Sequence, residues 1–478
     1  MSTSPIAKLV TLGCARNEVD SDELATTLAA SGWEVSSDTD APDVVLVNTC
    51  GFIASAKAES VDTILAAGQA GTSGRDVPVV AVGCMAERYG QELADELPEA
   101  AAVIGFDGYD QLPKTLDRIL AGESISSHVP QDRRTLIPLT PTARVGTAAP
   151  PGHTQVAGRH PFQADNGLAS TATTRTTRRR LGGGPSAPLK IASGCDRRCA
   201  FCAIPRFRGA FVSRRPEDIV AEARWLADRG VAEAVLVSEN STSYGKDLGD
   251  PRLLEELLRQ LAQILPRVRA SYLQPAETRP TLLKTIATTP NVAPYFDMSF
   301  QHAAGPLLRR MRRFGDGASF LAMVEQIRAL SPEAGIRSNV IVGFPGETEA
   351  DVAQLLDFLS AARLDAVGVF GYSDEEDTEG QLLPNKIDAD EIAARVSEVA
   401  SVAEYASMDR AAARVGTEAV VLVEDSTGTE LTGRTEFQGP EDGNTRWHGE
   451  AGVGDLVTVT IRDTDGIDLI AEASERVR

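Results

Sequence analysis

The chain has 478 residues, with 68 acidic and 47 basic side chains and a formal net charge of −21. That balance excludes a surface that follows a phosphate backbone along its whole length, because such affinity comes from Lys and Arg displacing counterions; it suits a basic protein partner. No apolar run approaches the roughly 20 residues of a membrane span, and Met1-Ser2-Thr3-Ser4-Pro5-Ile6-Ala7 lacks the basic-then-apolar start of a signal peptide. A cytoplasmic chain is therefore expected, where thiols stay reduced and clustered cysteines favour metal sites over disulfides.

Residues 1–139 alternate short apolar runs with amphipathic stretches. Strands are expected at 8–12, 43–48, 78–82 and 101–104, and helices at 20–30, 55–67 and 87–97. This β-α order predicts a doubly wound parallel sheet with helices on both faces. Residues 140–187 differ: Ala, Thr, Gly, Pro and Arg dominate, with Phe162 the sole aromatic and Asp165 the sole acid. So little apolar surface cannot offset the entropy of ordering, which predicts a disordered linker. Its arginines (Arg144, Arg159, Arg175, Arg178, Arg179 and Arg180) make a basic island, either solvated or an arm that contacts RNA or protein.

From 188 to 413 the alternation resumes, with strands expected at 189–192, 233–238, 270–273, 295–300, 337–342 and 366–371. Six β/α units predict a partial barrel working at its strand C-termini. A helix at 389–413 leads to residues 414–478, where five short strands separated by Gly- and Asp-containing turns predict a small antiparallel barrel.

All six cysteines fall into two triplets. Cys195, Cys199 and Cys202 are local, spaced Cys-x3-Cys-x2-Cys after the first barrel strand. Cys14, Cys50 and Cys84 are dispersed, but each follows a strand at the sheet edge where ligands bind in such folds. Three thiolates are one short of closing a 4Fe–4S cube, so each triplet leaves one iron open. Zinc is the alternative for soft thiolates, though structural zinc usually has four protein ligands.

The segment Gly194-Cys195-Asp196-Arg197-Arg198-Cys199-Ala200-Phe201-Cys202 resembles the radical S-adenosylmethionine signature, with Phe201 preceding the last cysteine. Leu12-Gly13-Cys14-Ala15-Arg16-Asn17-Glu18, Asn48-Thr49-Cys50-Gly51-Phe52 and Val82-Gly83-Cys84-Met85 resemble the N-terminal domain of the methylthiotransferases, and the C-terminal strands resemble their TRAM module. The resemblance covers nearly the whole chain except 140–187. It implies two 4Fe–4S clusters, one cleaving S-adenosylmethionine to a carbon radical and an auxiliary one delivering sulfur. It also implies a second S-adenosylmethionine as methyl donor, and a flavodoxin or ferredoxin as electron donor.

The family divides between tRNA adenosine and an aspartate of ribosomal protein uS12. Residues 417–478 hold fourteen acids, five arginines and no lysine, a net charge of −9. A module gripping tRNA should be basic, whereas an acidic one steers a basic ribosomal protein. Phe300-Gln301-His302-Ala303, Gly433-Arg434-Thr435-Glu436 and Gly439-Pro440-Glu441-Asp442-Gly443 resemble the ribosomal-protein branch. Four acids in Ser373-Asp374-Glu375-Glu376-Asp377-Thr378 offer a further place for a basic loop. The uS12 reading is preferred; tRNA methylthiolation is the rival, and a non-catalytic iron–sulfur scaffold or sensor the rival from another class.

Weaker signals remain. Gly343 and Glu347, in Gly343-Phe344-Pro345-Gly346-Glu347, either approach the nucleoside or simply turn the chain into a helix capped by Thr348. His302, at a strand end, is a proton relay or, on the preferred reading, a satisfied core or substrate-facing histidine. The run Arg309-Arg310-Met311-Arg312-Arg313 reads as a solvated face, with contact to rRNA or a cofactor carboxylate as the other reading.

Overall fold

In the computed structural model, which describes residues 4–69, 77–136 and 178–474, the N-terminal alternation becomes β1 (Ile6–Thr11), α1 (Ala15–Ala30), β2 (Glu34–Ser36), β3 (Val44–Thr49), α2 (Ala54–Gln69), β4 (Val79–Gly83), α3 (Cys84–Tyr89), α4 (Gln91–Glu96), β5 (Ala100–Val103) and α5 (Leu112–Leu120). The strands are parallel throughout, in the order β2-β1-β3-β4-β5. Successive residues of β3 point to opposite faces. Val44 and Leu46 join the apolar cluster beneath Leu24, Leu28 and Leu112, while Val45 and Val47 join that of Ile64, Met85 and Leu93. Both faces are covered, which is why these strands read as unbroken apolar runs.

Two expectations are corrected here. The helix expected at 87–97 is two short helices, because Gly90 (φ 46°) breaks it and a Cβ there would lie 2.2 Å from the His128 carbonyl oxygen. The three-residue edge strand β2 is too short to leave a periodic signal.

Residues 140–177 of the expected linker lie outside the described residues. Residues 178–187 do not behave as a solvated linker. Arg178 is buried, its Nη1 donating to Asp22 Oδ2 at 3.0 Å, and the Leu181 amide donates to Asp22 Oδ1 at 2.9 Å. The first barrel strand starts at Ser186, earlier than expected.

The chain packs as two units, Met1–Leu181 with Arg206–Ala210, and Gly182–Pro205 with Phe211–Arg478. The second opens with β6 (Ser186–Lys190), β7 (Ala192–Ser193) and the start of α6 (Ile204–Arg208), whose last three residues belong to the first unit, and then β8 (Val212–Ser213), α7 (Pro216–Ala227), β9 (Glu233–Val237), α8 (Leu253–Leu261), β10 (Arg267–Ala270) and α9 (Pro280–Thr288). It continues through β11 (Tyr295–Asp297), α10 (Gly305–Arg310), α11 (Gly317–Leu330), β12 (Gly335–Val342), α12 (Glu349–Ala362), β13 (Ala366–Gly371) and α13 (Ala389–Ala412). Six parallel strands follow one another as two three-stranded arcs, β6-β9-β10 and β11-β12-β13. A parallel bridge between Leu273 and Met298 links the arcs. This is the expected partial barrel. At its end, α12 carries a capping box in which Thr348 and Asp351 satisfy each other's amides.

The tail forms β14 (Glu418–Thr427), β15 (Glu430–Thr435), β16 (Thr445–His448), β17 (Leu456–Asp465) and β18 (Asp468–Ala473), closed as β14-β15-β16-β18-β17. One correction applies: β16 and β18 are parallel. Five strands in a ring cannot alternate direction all the way round, so a closed barrel of five must contain a parallel pair.

This barrel packs on the other in the same unit, at the starts of the large barrel's strands. Glu233 of β9 accepts from Arg269 Nε at 2.7 Å and from Arg434 Nη2 at 2.8 Å. Arg267 donates to the carbonyls of Arg434 (2.9 Å) and Val420 (2.8 Å). Tyr295 bonds Asp442, which also pairs with Arg337 at 3.0 Å. Arg434 and Asp442, noted as branch pattern, thus serve to dock the module. Among the described residues no helix is long and apolar enough to cross a membrane.

Burial opposes the Glu233 charge, but Arg269, Arg434 and Arg267 outweigh it and hold the carboxyl down at about 2. An unfolded Glu titrates at about 4.3. Its stabilisation is therefore complete above about pH 5 and is lost as pH falls towards 2. Glu233→Gln leaves buried guanidiniums uncompensated and should cost about 3–5 kcal/mol, measurable by denaturant unfolding at pH 7.

Candidate functional site

The order β2-β1-β3-β4-β5 reverses between β1 and β3, and a crevice opens at the carboxyl ends of the strands at such a point. Cys14 follows β1 as the N-cap residue of α1, Cys50 follows β3, and Cys84 follows β4 as the first residue of α3. Gly13 makes the approach of the first two loops possible. Its φ is +86°, and a Cβ there would stand 2.8 Å from Cys50 Cβ and 3.0 Å from Cys50 Sγ.

Asn17 and Asn48 lock these loops together. Asn17 Nδ2 donates to the carbonyls of Leu12 (2.8 Å) and Thr49 (3.2 Å), and Asn48 Nδ2 donates to Asn17 O and Ser21 Oγ, each at 2.9 Å. Ser60 accepts from the Cys50 amide at 3.0 Å.

Two guanidiniums face the sulfurs. Arg16 Nη2 lies 3.7 Å from Cys14 Sγ, and Arg208 Nη2 donates to Cys84 Sγ at 3.0 Å. Burial opposes ionisation of Cys14, yet Arg16 and Arg208 outweigh it, so this thiol ionises below its ordinary value. Burial pushes Cys50 up, and carries Cys84 up to about 11 against the pull of Arg208. The Cys14 charge raises both of the others. Cys14, once ionised, therefore opposes ionisation of Cys50 and of Cys84, an opposition that a bound cationic group relieves.

The local triplet sits in the loop after β6 and β7. The Cys202 amide donates to Cys199 O at 3.1 Å, the Arg197 amide to Cys195 Sγ at 3.4 Å, and the Ala200 amide to Met311 O at 3.1 Å. Burial pushes Cys195 up to about 12 and Cys202 further, with Cys199 adding to both. Phe201 is half-buried against the barrel core.

Two networks that the sequence did not reveal hold this loop. Arg197 and Lys246 each reach Glu277 Oε1 at 3.0 Å, while Asn240 and Ser243 donate to its Oε2 at 2.9 and 2.8 Å. Burial alone would raise the Glu277 carboxyl; these partners hold it below its ordinary range. Arg313 Nη1 lies 3.7 Å from Cys199 Sγ, with its other nitrogen on Gln274 and the Ser299 carbonyl. The arginine run is thus divided: Arg309, Arg310 and Arg312 are exposed, whereas Arg313 is buried beside a cysteine.

Each triplet suits an iron–sulfur cube by its thiolate donors. Among the described residues no three His, Cys, Asp or Glu side chains are arranged around a single ion. A cube does not require that, because its thiolates bind different irons.

Gly343 and Glu347 form one turn after β12, in which the Gly343 amide donates to Glu347 Oε2 at 2.7 Å. Arg395 of α13 reaches the same oxygen at 2.8 Å. His302 Nδ1 accepts from the Ala304 amide at 3.0 Å, so its proton sits on Nε2, 3.2 Å from Glu347 Oε1. Both side chains are fully buried. His302 is therefore a buried histidine whose Nε2 faces Glu347 Oε1 with neither atom completing a hydrogen bond, while the other Glu347 oxygen is held by the Gly343 amide and Arg395. Of the four acids expected to meet a basic loop, Asp374, Glu376 and Asp377 are exposed and Glu375 is buried.

A partial barrel with three cysteines in the loop after its first strands defines a radical S-adenosylmethionine enzyme, a class that carries an iron–sulfur cluster and uses S-adenosylmethionine. Residues 189–359 match the radical SAM superfamily, residues 7–105 the uncharacterized protein family UPF0004, and residues 415–473 the TRAM domain. The ribosomal protein uS12 methylthiotransferase RimO of Saccharopolyspora erythraea is 58% identical over 467 residues, covering 97% of this chain and 94% of that one. The same-named proteins of Kineococcus radiotolerans (55% over 481 residues; 98% and 97% covered) and Cutibacterium acnes (55% over 472 residues; 97% and 97%) are similarly close. The chain belongs to this RimO family of radical SAM methylthiotransferases. Among solved structures, the radical S-adenosylmethionine methyltransferase TsrM of Kitasatospora setae aligns with a TM-score of 0.52 at 16% identity, covering 77% of this chain and 73% of that one. At that identity the likeness speaks for the fold alone.

Gly343 has φ +81°, and a Cβ there would meet Ile392 Cγ1 at 2.5 Å. Gly343→Ala should therefore destabilise by two separable parts. Ile392→Ala in the same chain should relieve the steric part and leave about 1–2 kcal/mol for the left-handed backbone, read from a double-mutant cycle of unfolding free energies.

Proposed function

We propose that the chain methylthiolates the β-carbon of an aspartate in ribosomal protein uS12. It does so with two 4Fe–4S clusters, one on Cys195, Cys199 and Cys202 and an auxiliary one on Cys14, Cys50 and Cys84. The observation that carries this reading is the second triplet: three cysteines 36 and 34 positions apart in sequence follow β1, β3 and β4 at one sheet edge, and Cys14 lies close enough to oppose ionisation of the other two. Packing alone does not call for thiols at three successive strand ends.

When bound, the local cluster with S-adenosylmethionine supplies the radical chemistry that removes hydrogen from an unactivated C–H bond, which no side chain performs. The chain's own residues hold and orient. Cys195, Cys199 and Cys202 offer three ligands to a four-cornered cube and leave one corner for the small molecule. Arg313 sets a permanent positive charge beside Cys199. Glu277 fixes Arg197 within the loop. Phe201 packs against the barrel core within the cysteine loop, and Gly343, held by Glu347, would bring backbone to the strand-end face that would receive the cofactor. A second S-adenosylmethionine gives the methyl group, a flavodoxin or ferredoxin gives electrons, and the setting is cytoplasmic.

Support for uS12 over tRNA comes from the family and from the charge of the C-terminal barrel, where Glu418, Asp425, Glu430 and Glu441 are exposed. Such a surface repels a polyanion and attracts a basic protein. Mass spectrometry of a strain lacking the gene should find uS12 short of one methylthio group and tRNA unchanged. Loss from tRNA with intact uS12 would reverse the assignment.

The two clusters are tested separately. Anaerobically reconstituted protein should hold about eight irons, and replacement of either triplet by alanine about four. The Cys195/Cys199/Cys202 variant should lose formation of 5′-deoxyadenosine. The Cys14/Cys50/Cys84 variant should retain it while failing to transfer sulfur.

A further inference from the structure

Five residues from early in the barrel sequence, Arg206–Ala210, pack as part of the N-terminal unit. They place one long side chain in its crevice. Arg208 is buried, and its Nη2 lies 3.0 Å from Cys84 Sγ, 3.1 Å from Asp20 Oδ2 and 3.3 Å from Asn17 Oδ1. Its guanidinium lies over the Phe106 ring, 5.2 Å from the centroid. Gly209, at φ +81°, turns the chain directly afterwards. Carboxylate, amide and ring thus hold the group on the side of the sulfur.

We propose that Arg208 is a positioning residue that sets the reduction potential of the auxiliary centre, with Asp20 as its opposing charge. The inference rests on the reading that Cys14, Cys50 and Cys84 hold a cluster. Potentials of such clusters follow net charge and hydrogen bonds to sulfur. Reduction adds a negative charge, which a nearby cation stabilises and a nearby anion opposes. Arg208 is a cation and hydrogen-bonds a ligand sulfur, so it raises the potential. Asp20 tethers the guanidinium while adding a negative charge of its own, so it lowers the potential. The structure therefore contains two adjacent side chains with effects of opposite sign.

The opposition of signs supplies the test. Full-length chain carrying C195A, C199A and C202A leaves only the auxiliary centre to report, and its midpoint potential is read by EPR-monitored titration. Relative to this parent, Arg208→Gln should shift the potential negative, Asp20→Asn should shift it positive, and Arg208→Lys should fall between parent and Arg208→Gln. A purely architectural arginine predicts no such reversal. Shifts of the same sign for Arg208→Gln and Asp20→Asn, or no shift in either, would overturn the proposal. If Arg208→Gln takes up no iron, Arg208→Lys carries the test: a negative shift relative to the parent supports the proposal, and an unmoved potential overturns it. Loss of iron in both Arg208 variants with unchanged circular dichroism overturns it. If the parent binds no iron at all, the two-cluster reading itself fails, a result distinct from an unmoved potential.

Discussion

Thiols gathered in a buried crevice repel one another once ionised, and burial penalises each charge separately. The crevice around Cys14, Cys50 and Cys84 answers both costs. Arg16 and Arg208 supply positive charge, Asp20 and Asn17 fix one guanidinium, and asparagine bridges fix the loops from which the sulfurs project. The parallel sheet beneath is what makes the arrangement possible. Its strand ends present successive loops side by side, and its reversal of order opens the gap into which they face. The barrel's triplet meets the same difficulty with Arg313, while a second arginine, Arg197, is anchored by Glu277.

Much of this was legible from residue pattern. β3 and β4 are buried on both faces and therefore read as apolar runs, and β12 and β13, more open on one face, were still located to within a few residues. All six cysteines stood out, since a rare residue at three strand ends is a strong local signal. What escaped is what depends on distant residues meeting. Arg208 drew no reading from the sequence, because nothing in its neighbourhood shows that Asp20 and Cys84, more than a hundred positions away, wait for it. Arg313 was hidden in a run whose other arginines are exposed. Helices α3 and α4 were joined in error because the break at Gly90 arises from contact with His128, remote in sequence.

Charge counting had a second lesson. The C-terminal barrel is acidic in total, but part of that acidity is internal. Asp442 is buried against Tyr295 and Arg337, and Glu424 pairs with Arg434. Those residues attach the module to the large barrel. The acids left facing outward are fewer than the tally of residues suggests, and they are the ones relevant to recognition.

The attachment itself has a geometric consequence. The small barrel is bolted by ion pairs to the starts of the strands, whereas the cysteine loop and the Gly343 turn lie at their ends. A binding partner that touches both must extend along the outside of the molecule for the length of a strand, about 25 Å for the eight residues of β12.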